Sequence, residues 1–372
     1  MKVLVANRYF YPYLGGVEFH IMNMAFKLIE QGCDVTVVCL PYKASSGSDE
    51  FNGIKIRRIN HTHELFKVVR EGFDICHVHM PRNMFSFTAL VAAKLSGIAT
   101  VFSPHCFYPG GSLLKRAGKE ACDQTLTPMM FRLADRTIYS SKSDLDDALK
   151  RGLQKERAVK IPNSVFCKEL SQVPIKDIRK KYGLNRPFIL HVGRFDWVKN
   201  VDFIIKAHKG FIETHDLLMI GQDGGELNTA RQLVNELGMN NYIKIIERAP
   251  FPDICSAYSL ADVTVLASTY EGFPTVLLEA LYFGSPVVSS DVGGVPHMLC
   301  DIDYGHCYEV KDMTQYIKTL KETISRGRTA AKAGHDFIKE CYSWEVNGPA
   351  MYKLYSELIN NGFKGTSPFA GA

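Results

Sequence analysis

The chain has 372 residues, beyond the size of about 250–300 at which a single hydrophobic core stops growing, so two domains are expected. Apolar residues at 46%, charged residues at 22% and a mean hydropathy of −0.07 exclude a disordered chain and a membrane bundle, and describe a soluble globular protein. The net charge of +5 is uneven: residues 1–170 carry 23 Lys+Arg against 16 Asp+Glu, and the remainder 21 against 23, so only the first half is basic. That suits an anionic partner or a membrane surface there, and equally a plain solvated surface.

From the start, short β-branched runs alternate with amphipathic stretches at Lys2–Ala6, Gly16–Glu30, Asp34–Cys39, Ile54–Arg58, Asp74–His79, Phe85–Leu95, Thr100–Phe102 and Thr137–Tyr139. Val35–Cys39 is apolar throughout instead of alternating, as a strand of a parallel sheet covered on both faces would be. The stretch from Met84 to Phe102 is broken by Ser86, Lys94, Ser96 and Gly97, so no transmembrane helix is predicted. The polar segment 171–187 has proline near both ends and reads as a linker. A second β/α series follows at Phe188–Val192, Asp202–His208, Leu217–Ile220, Gly225–Leu237, Ile243–Ile246, Ala261–Ala267, Thr275–Phe283 and Pro286–Ser289, continuing to Arg326. Helices at Thr329–Glu340 and Trp344–Leu358 and a frayed tail at Gly365–Ala372 close the chain. The ten cysteines include no C-x-x-C pair, lie mostly in apolar runs and follow no secretory segment, which predicts reduced core thiols in the cytoplasm.

Ligands of open α/β sheets bind beyond the carboxyl ends of the strands, so tandem doubly wound domains direct attention to a cleft lined by strand-to-helix loops. After the first strand, Gly15 and Gly16 precede a helix, where backbone N–H groups can approach an anion; a tight turn explains them as well. Val192-Gly193-Arg194 runs into a turn with Lys199 beyond it, and Arg194 and Lys199 could bracket a diphosphate or be a plain surface pair. Glu271 and Glu279 straddle Gly272-Phe273-Pro274-Thr275-Val276, a turn that should start a helix. Fully helical spacing would separate the two carboxylates by about 12 Å, too far for the ~5 Å pair of a double-displacement glycosidase, so they should touch different parts of one elongated ligand. His105 follows another strand. His77 and His79 share one strand face, and no third ligand follows at metal spacing, so no metal is expected.

Assembled, these residues resemble glycosyltransferase family 4, retaining nucleotide-sugar-dependent enzymes with the GT-B fold. The likeness is carried by Gly15–Glu18, His105, Ile161–Ser164, Val192–Arg194 with Lys199, Gly221–Gly224, Glu271 with Glu279, Ser285–Val288, Asp291–Pro296 and Ser343–Glu345. It implies an α/β chain of two Rossmann-like domains facing a cleft. Residues 1–170 would bind the acceptor, 171–187 link, 188–343 bind the donor, and a last helix at about 344–360 cross back to the first domain.

The resemblance also assigns roles. Arg194 and Lys199 would clamp the donor diphosphate, helped by the backbone at Gly15, Gly16 and Pro274–Val276. Glu271, beside the Gly272–Phe273 backbone, would bind donor-sugar hydroxyls, Glu279 the ribose hydroxyls, and His105 would lie near the reacting sugar. With Arg194 and Lys199 these make up the catalytic set His105, Glu271, Arg194 and Lys199. The implied activity moves a hexosyl unit from a UDP- or GDP-sugar to a hydroxyl of a glycan or lipid-linked acceptor, without metal or other cofactor.

Three departures from the family pattern, His297, Arg248-Ala249-Pro250 and Cys106 after His105, leave base and sugar open. The apolar and basic segments 107–119 and 128–132 would either rest on a membrane, placing the enzyme on its inner cytoplasmic face, or pack as a core helix. The rivals are a GT-B nucleotide-sugar epimerase and an inactive sugar-nucleotide-binding partner. The small basic excess disfavours nucleic acid.

Overall fold

The run Lys2–Ala6 has four successive residues, Val3 to Ala6, with no solvent exposure, and forms β1 at the centre of a sheet. In this computed structural model the residues described are 1–13, 15–43, 45, 47–108, 110, 112–299, 305–328 and 331–360; the tail at Gly365–Ala372, Cys300 and Thr329 lie outside them. Two units divide the chain, residues 1–163 with the segment from Trp344 onward, and Ser164–Ser343.

The first unit holds β1, β2 (Asp34–Cys39), β3 (Ser48–Phe51), β4 (Ile54–Arg58), β5 (Ile75–His79), β6 (Ala99–Ser103), β7 (Arg136–Tyr139) and β8 (Ala158–Lys160). They lie in the order β3-β4-β2-β1-β5-β6-β7-β8, parallel except for the antiparallel edge pair β3–β4. The helix Gly16–Glu30 follows β1, and the last helix, Trp344–Asn360, packs against it. Trp344 and Tyr355 of that last helix have no solvent exposure, so it is part of this unit's core.

The second unit is an all-parallel sheet of β9 (Phe188–Val192), β10 (Asp216–Ile220), β11 (Ile243–Ile246), β12 (Val263–Leu266), β13 (Val287–Ser290) and β14 (Gly305–Tyr308), ordered β11-β10-β9-β12-β13-β14. The order reverses direction between β9 and β12, the place where such sheets take ligands.

The segment 171–187 is not a free linker. Val165 just before the short helix Cys167–Ser171, Cys167 and Leu170 on it, and Ile178 and Leu184 on either side of the short helix Arg179–Tyr182 are buried in the same core as β9. Burying a side chain of that kind stabilises by roughly 1.5–3 kcal/mol, which outweighs the polar character that makes the stretch read as a connector. The divide therefore falls at Asn163/Ser164, earlier than the sequence suggests.

The stretch 107–132 also resolves into two parts. Leu113–Gln124 is a helix whose one buried residue is Asp123, held by Arg82 and Arg151, while Leu126–Leu133 buries Thr127, Met130 and Phe131. Among the described cysteines, Cys33, Cys39, Cys76, Cys167 and Cys255 are buried, Cys341 is exposed, and none is in a disulfide. Among the described residues no helix is long and apolar enough to cross a membrane.

Candidate functional site

β9 ends at Val192 and the chain turns through Gly193 into a loop fixed by Asp196. The Asp196 carboxylate accepts from the N–H groups of Val198 and Lys199, both at 3.1 Å, and pairs with the Arg194 guanidinium at 3.0 Å. Asp196 is nearly buried, but Arg194 keeps 62% of its side chain exposed, a cation on a rigid turn with its face to solvent. A Cβ on Gly221 would stand 1.7 Å from the Gly193 carbonyl oxygen, so the loop after β10 can lie against this turn only because residue 221 is glycine.

The loop after β12 is tied to the first. Thr269 N–H donates to Val198 O at 2.8 Å, and Lys199 Nζ reaches Glu271 Oε1 at 2.5 Å, an oxygen that also accepts from the Ser268 hydroxyl. Lys199 and Glu271 are 16% and 10% exposed, so the pair is largely removed from water. The loop after β13 closes behind it: Gly294 N–H donates to Gly272 O at 2.9 Å, and Gly293, at φ +57°, would place a Cβ 1.7 Å from Glu271 O.

Pro274 then caps the helix Thr275–Tyr282, and because proline has no N–H, the N–H groups at this helix start are those of Thr275 and Val276. Phe273 is buried against Tyr342, with ring centroids 5.4 Å apart. Glu279 lies one turn into the helix and accepts from the Tyr258 hydroxyl at 3.0 Å. Burial pushes its carboxyl up to about 7, partly offset by that hydrogen bond.

The structure thus gathers Arg194, Lys199, Glu271 and the 272–276 turn at the carboxyl ends of β9 and β12, with Glu279 following on the helix. Asp196, Ser268, Tyr258 and Gly293, which position them, were not singled out from sequence. An Asp two residues before the turn's N–H groups is the one sequence signal that points to any of them. His191 was missed as well. It has no solvent exposure, its Nδ1–H donates to Val265 O at 3.1 Å, and burial lowers it to about 4.

The remaining candidates belong to the first unit. Gly15 N–H donates to the Glu18 carboxylate at 3.0 Å, and the other Glu18 oxygen accepts from Asn7 Nδ2 at 3.0 Å. This corrects the expectation that the Gly15 N–H serves an anion: the capping carboxylate of its own helix already takes it. Gly16, the first helical residue, would place a Cβ in open space.

His105 follows β6 in the left-handed region at φ +61°, with Cys106 N–H donating to Pro104 O at 2.8 Å across it. That is a γ-turn of the rare strained kind centred on His105, a backbone cost of roughly 1–3 kcal/mol met only where surroundings hold the residue in place. The surroundings are imidazoles: His105 Nε2 is 2.8 Å from His79 Nδ1, and its ring lies 5.0 Å from that of His20. His77 sits 4.1 Å from the His79 ring. Burial first, and then mutual repulsion, hold His79 and His105 well below the usual imidazole range. His77 joins Tyr355 Oη at 2.6 Å and Ser103 Oγ at 2.8 Å, a structural tie to the last helix. Among the described residues no group of three or more His, Cys, Asp or Glu is arranged to hold a metal ion.

Comparison with known proteins bears on the family and the fold. The description "Glycosyltransferase Family 4" fits residues 14–168, and "Glycosyl transferases group 1" fits residues 174–343. The chain belongs to glycosyltransferase family 4.

A subunit of phosphatidylinositol N-acetylglucosaminyltransferase from Saccharomyces cerevisiae is 23% identical over 94% of this chain and 81% of its own length. The N-acetyl-alpha-D-glucosaminyl L-malate synthase of Bacillus anthracis is 27% identical over 68% of this chain and 67% of its own. Among solved structures, sucrose-phosphate synthase from Thermosynechococcus elongatus superposes with a TM-score of 0.82 at 19% identity, covering 97% of this chain and 99% of that one. An Anabaena protein in complex with UDP and glucose gives 0.76 at 17% identity, covering 96% of this chain and all of the other. The family 4 chain therefore has the GT-B fold.

Proposed function

We propose that this family 4 member is a retaining hexosyltransferase that takes its sugar from a nucleotide diphosphate sugar and delivers it to a hydroxyl of a lipid-linked or glycan acceptor. The observation that carries the reading is the joined pair of loops after β9 and β12, where exposed Arg194 pairs with Asp196 and largely buried Lys199 pairs with the Glu271 carboxylate. Two cations on rigid turns can neutralise a departing diphosphate as its charge grows, the work a metal does elsewhere, so the reading includes no metal. Glu271 accepts from donor-sugar hydroxyls, with the Gly272 and Phe273 backbone beside it. Glu279, with a carboxyl pushed up to about 7, accepts from the ribose hydroxyls. The N–H groups of Thr275 and Val276 add to the anion field of the second unit, and in the first unit Gly16 and His105 keep the roles that the family resemblance gives them.

The chemistry in this reading is a front-face displacement. The bond from the anomeric carbon to the diphosphate oxygen breaks, leaving a short-lived oxocarbenium ion. The acceptor hydroxyl oxygen bonds to that carbon from the same face, and its proton passes to an oxygen of the departing diphosphate. A UDP-sugar is the favoured donor, because the Anabaena structure holds UDP and glucose and the yeast and Bacillus relatives are named for transfer or addition of an N-acetylglucosaminyl unit. The lipid side is supported by Leu113 and Leu114, 85% and 84% exposed, next to Lys115 and Arg116.

The test is thermal shift of the full chain with UDP, GDP and ADP and their common sugar conjugates, followed by incubation of the sugar that binds with phosphatidylinositol and glycan acceptors in EDTA. One nucleotide family raises the midpoint, and NMR of the product shows the donor's anomeric configuration. An inverted linkage removes the front-face step. Conversion of the UDP-sugar alone to an epimer favours the isomerase, and binding with no transfer favours an inactive partner.

A further inference from the structure

His79 has no solvent exposure and two ring nitrogens with different neighbours. Nδ1 is 2.8 Å from His105 Nε2, and Nε2 is buried with no hydrogen-bond partner among the described residues. The ring is neutral, because burial together with the adjacent His77, His105 and His20 opposes a charge, so it carries one N–H. If that hydrogen were on Nε2, a buried donor would be orphaned, which folded proteins rarely tolerate. With the hydrogen on Nδ1 the donor is satisfied, and the unpaired group is a bare lone pair. His77 offers no relief, since both its nitrogens are already engaged by Tyr355 Oη and Ser103 Oγ.

The hydrogen on His79 Nδ1 dictates the state of its partner. His105 Nε2 must then accept, so its own hydrogen is on Nδ1. That nitrogen makes no hydrogen bond among the described residues, and His105 as a whole is only partly buried. We infer that His79 is a positioning residue for His105: it donates to His105 Nε2, fixes the Nδ1–H tautomer and turns a hydrogen-bond donor, not an acceptor, toward the substrate. The strained γ-turn at His105 serves the same end, holding the ring where His79 can grip it. In the transferase reading, on which the role rests, such a donor hydrogen-bonds a sugar oxygen as charge develops and cannot act as a base toward the acceptor.

The groups facing the pair are His20 from the helix after β1, His77 from β5, and Tyr355 from the last helix beyond His77. The experiment is ¹⁵N NMR of the full chain labelled at histidine, with His105 assigned from the signals lost in His105→Gln. The expected spectrum shows His105 protonated at Nδ1 and bare at Nε2 near pH 7; protonation at Nε2 overturns the inference.

His79→Leu removes the donor and should let His105 shift toward the commoner Nε2–H form, whereas His79→Asn, with an amide N–H near the old Nδ1, should keep the Nδ1–H form. An unchanged His105 in His79→Leu denies His79 its role, and if that variant does not fold, the spectrum of the unaltered protein decides. Turnover of the donor sugar should fall about ten-fold or more in His79→Leu and recover in His79→Asn. Because the tautomer is read without ligand, it stands or falls apart from the transferase reading.

Discussion

At the scale of single residues, Arg194 and Lys199 share one proposed task but differ in environment. Arg194 lies on the surface of its turn, paired with an Asp196 that also holds two backbone N–H groups, so losing the guanidinium leaves the loop intact. Lys199 sits against Glu271 with both mostly out of water, and its loss leaves a shielded carboxylate with only the Ser268 hydroxyl. Arg194→Ala should therefore change stability by less than about 0.5 kcal/mol, and Lys199→Ala should cost roughly 1–3 kcal/mol. This departs from what the sequence suggests, where both cations read as exposed loop residues whose loss spares the fold. Both variants should lose about 10²–10³-fold in turnover if they stabilise the leaving group. Thermal melts run beside donor turnover separate the two effects. Equal melts would refute the difference in burial, and unchanged turnover would refute the clamp.

Among the elements, the helix Leu113–Gln124 makes the most specific external prediction. Leu113 and Leu114 project into solvent, Lys115 and Arg116 follow, and Asp123 at the far end is anchored by Arg82 and Arg151. Apolar tips next to cations suit an anionic bilayer surface, each cation near it contributing about 1 kcal/mol. The protein should sediment with phosphatidylglycerol vesicles at low salt, less in high salt, and less again as Leu113→Ser/Leu114→Ser, with the melting midpoint unchanged. No sedimentation with anionic vesicles at low salt would remove the membrane contact. Sequence alone could not choose between surface and core for this stretch, because its apolar residues occur in pairs that fit either. It was clear on β1 and β2, where apolar residues dominate, on β4, where Ile54 and Ile56 alternate with Lys55 and Arg57, and on the helix Gly16–Glu30 with its helical period. It missed β3, an exposed edge strand, Ser48–Phe51, with no such pattern. It also took 171–187 as a linker, since Ile178 and Leu184, scattered among charged residues, do not reveal that they are buried. In the site, the residues that carry charge were legible from their spacing. The ones that hold them, Tyr258 and Gly293 among them, act through contacts between separate elements, helix to helix for Tyr258 and loop to loop for Gly293, and leave no local signal.

Over the whole molecule, buried imidazoles set the response to acid. Burial lowers His77 to about 3, lowers His20, His191 and His208 to about 4, and depresses His79, His105 and His215. In the unfolded chain these groups titrate near 6.5, so as the pH falls below that value the unfolded state takes up protons that the folded state refuses, and stability drops. Two carboxyls act the other way: Asp144, raised to about 6, and Glu279, raised to about 7, are protonated in the fold before they are in the unfolded chain, and their contribution weakens as the pH rises. Each proton of difference changes stability by about 1.4 kcal/mol per pH unit, and the imidazoles outnumber the carboxyls, so net stability should rise from pH 4.5 to 6.5 and level off above 7. Each unit carries its own tryptophan, Trp344 buried in the first and Trp197 half-exposed in the second. Four of the imidazoles, His20, His77, His79 and His105, belong to the first unit against Asp144, and three, His191, His208 and His215, to the second against Glu279. Urea unfolding followed by fluorescence in Trp197→Phe and Trp344→Phe variants at pH 5, 6 and 7 should therefore show midpoints that climb with pH for both reporters, and more steeply for Trp344. A midpoint for Trp344 that is flat or falls over that range would mean that the histidine cluster takes up protons in the folded state, and the neutral His79–His105 pair would go with it.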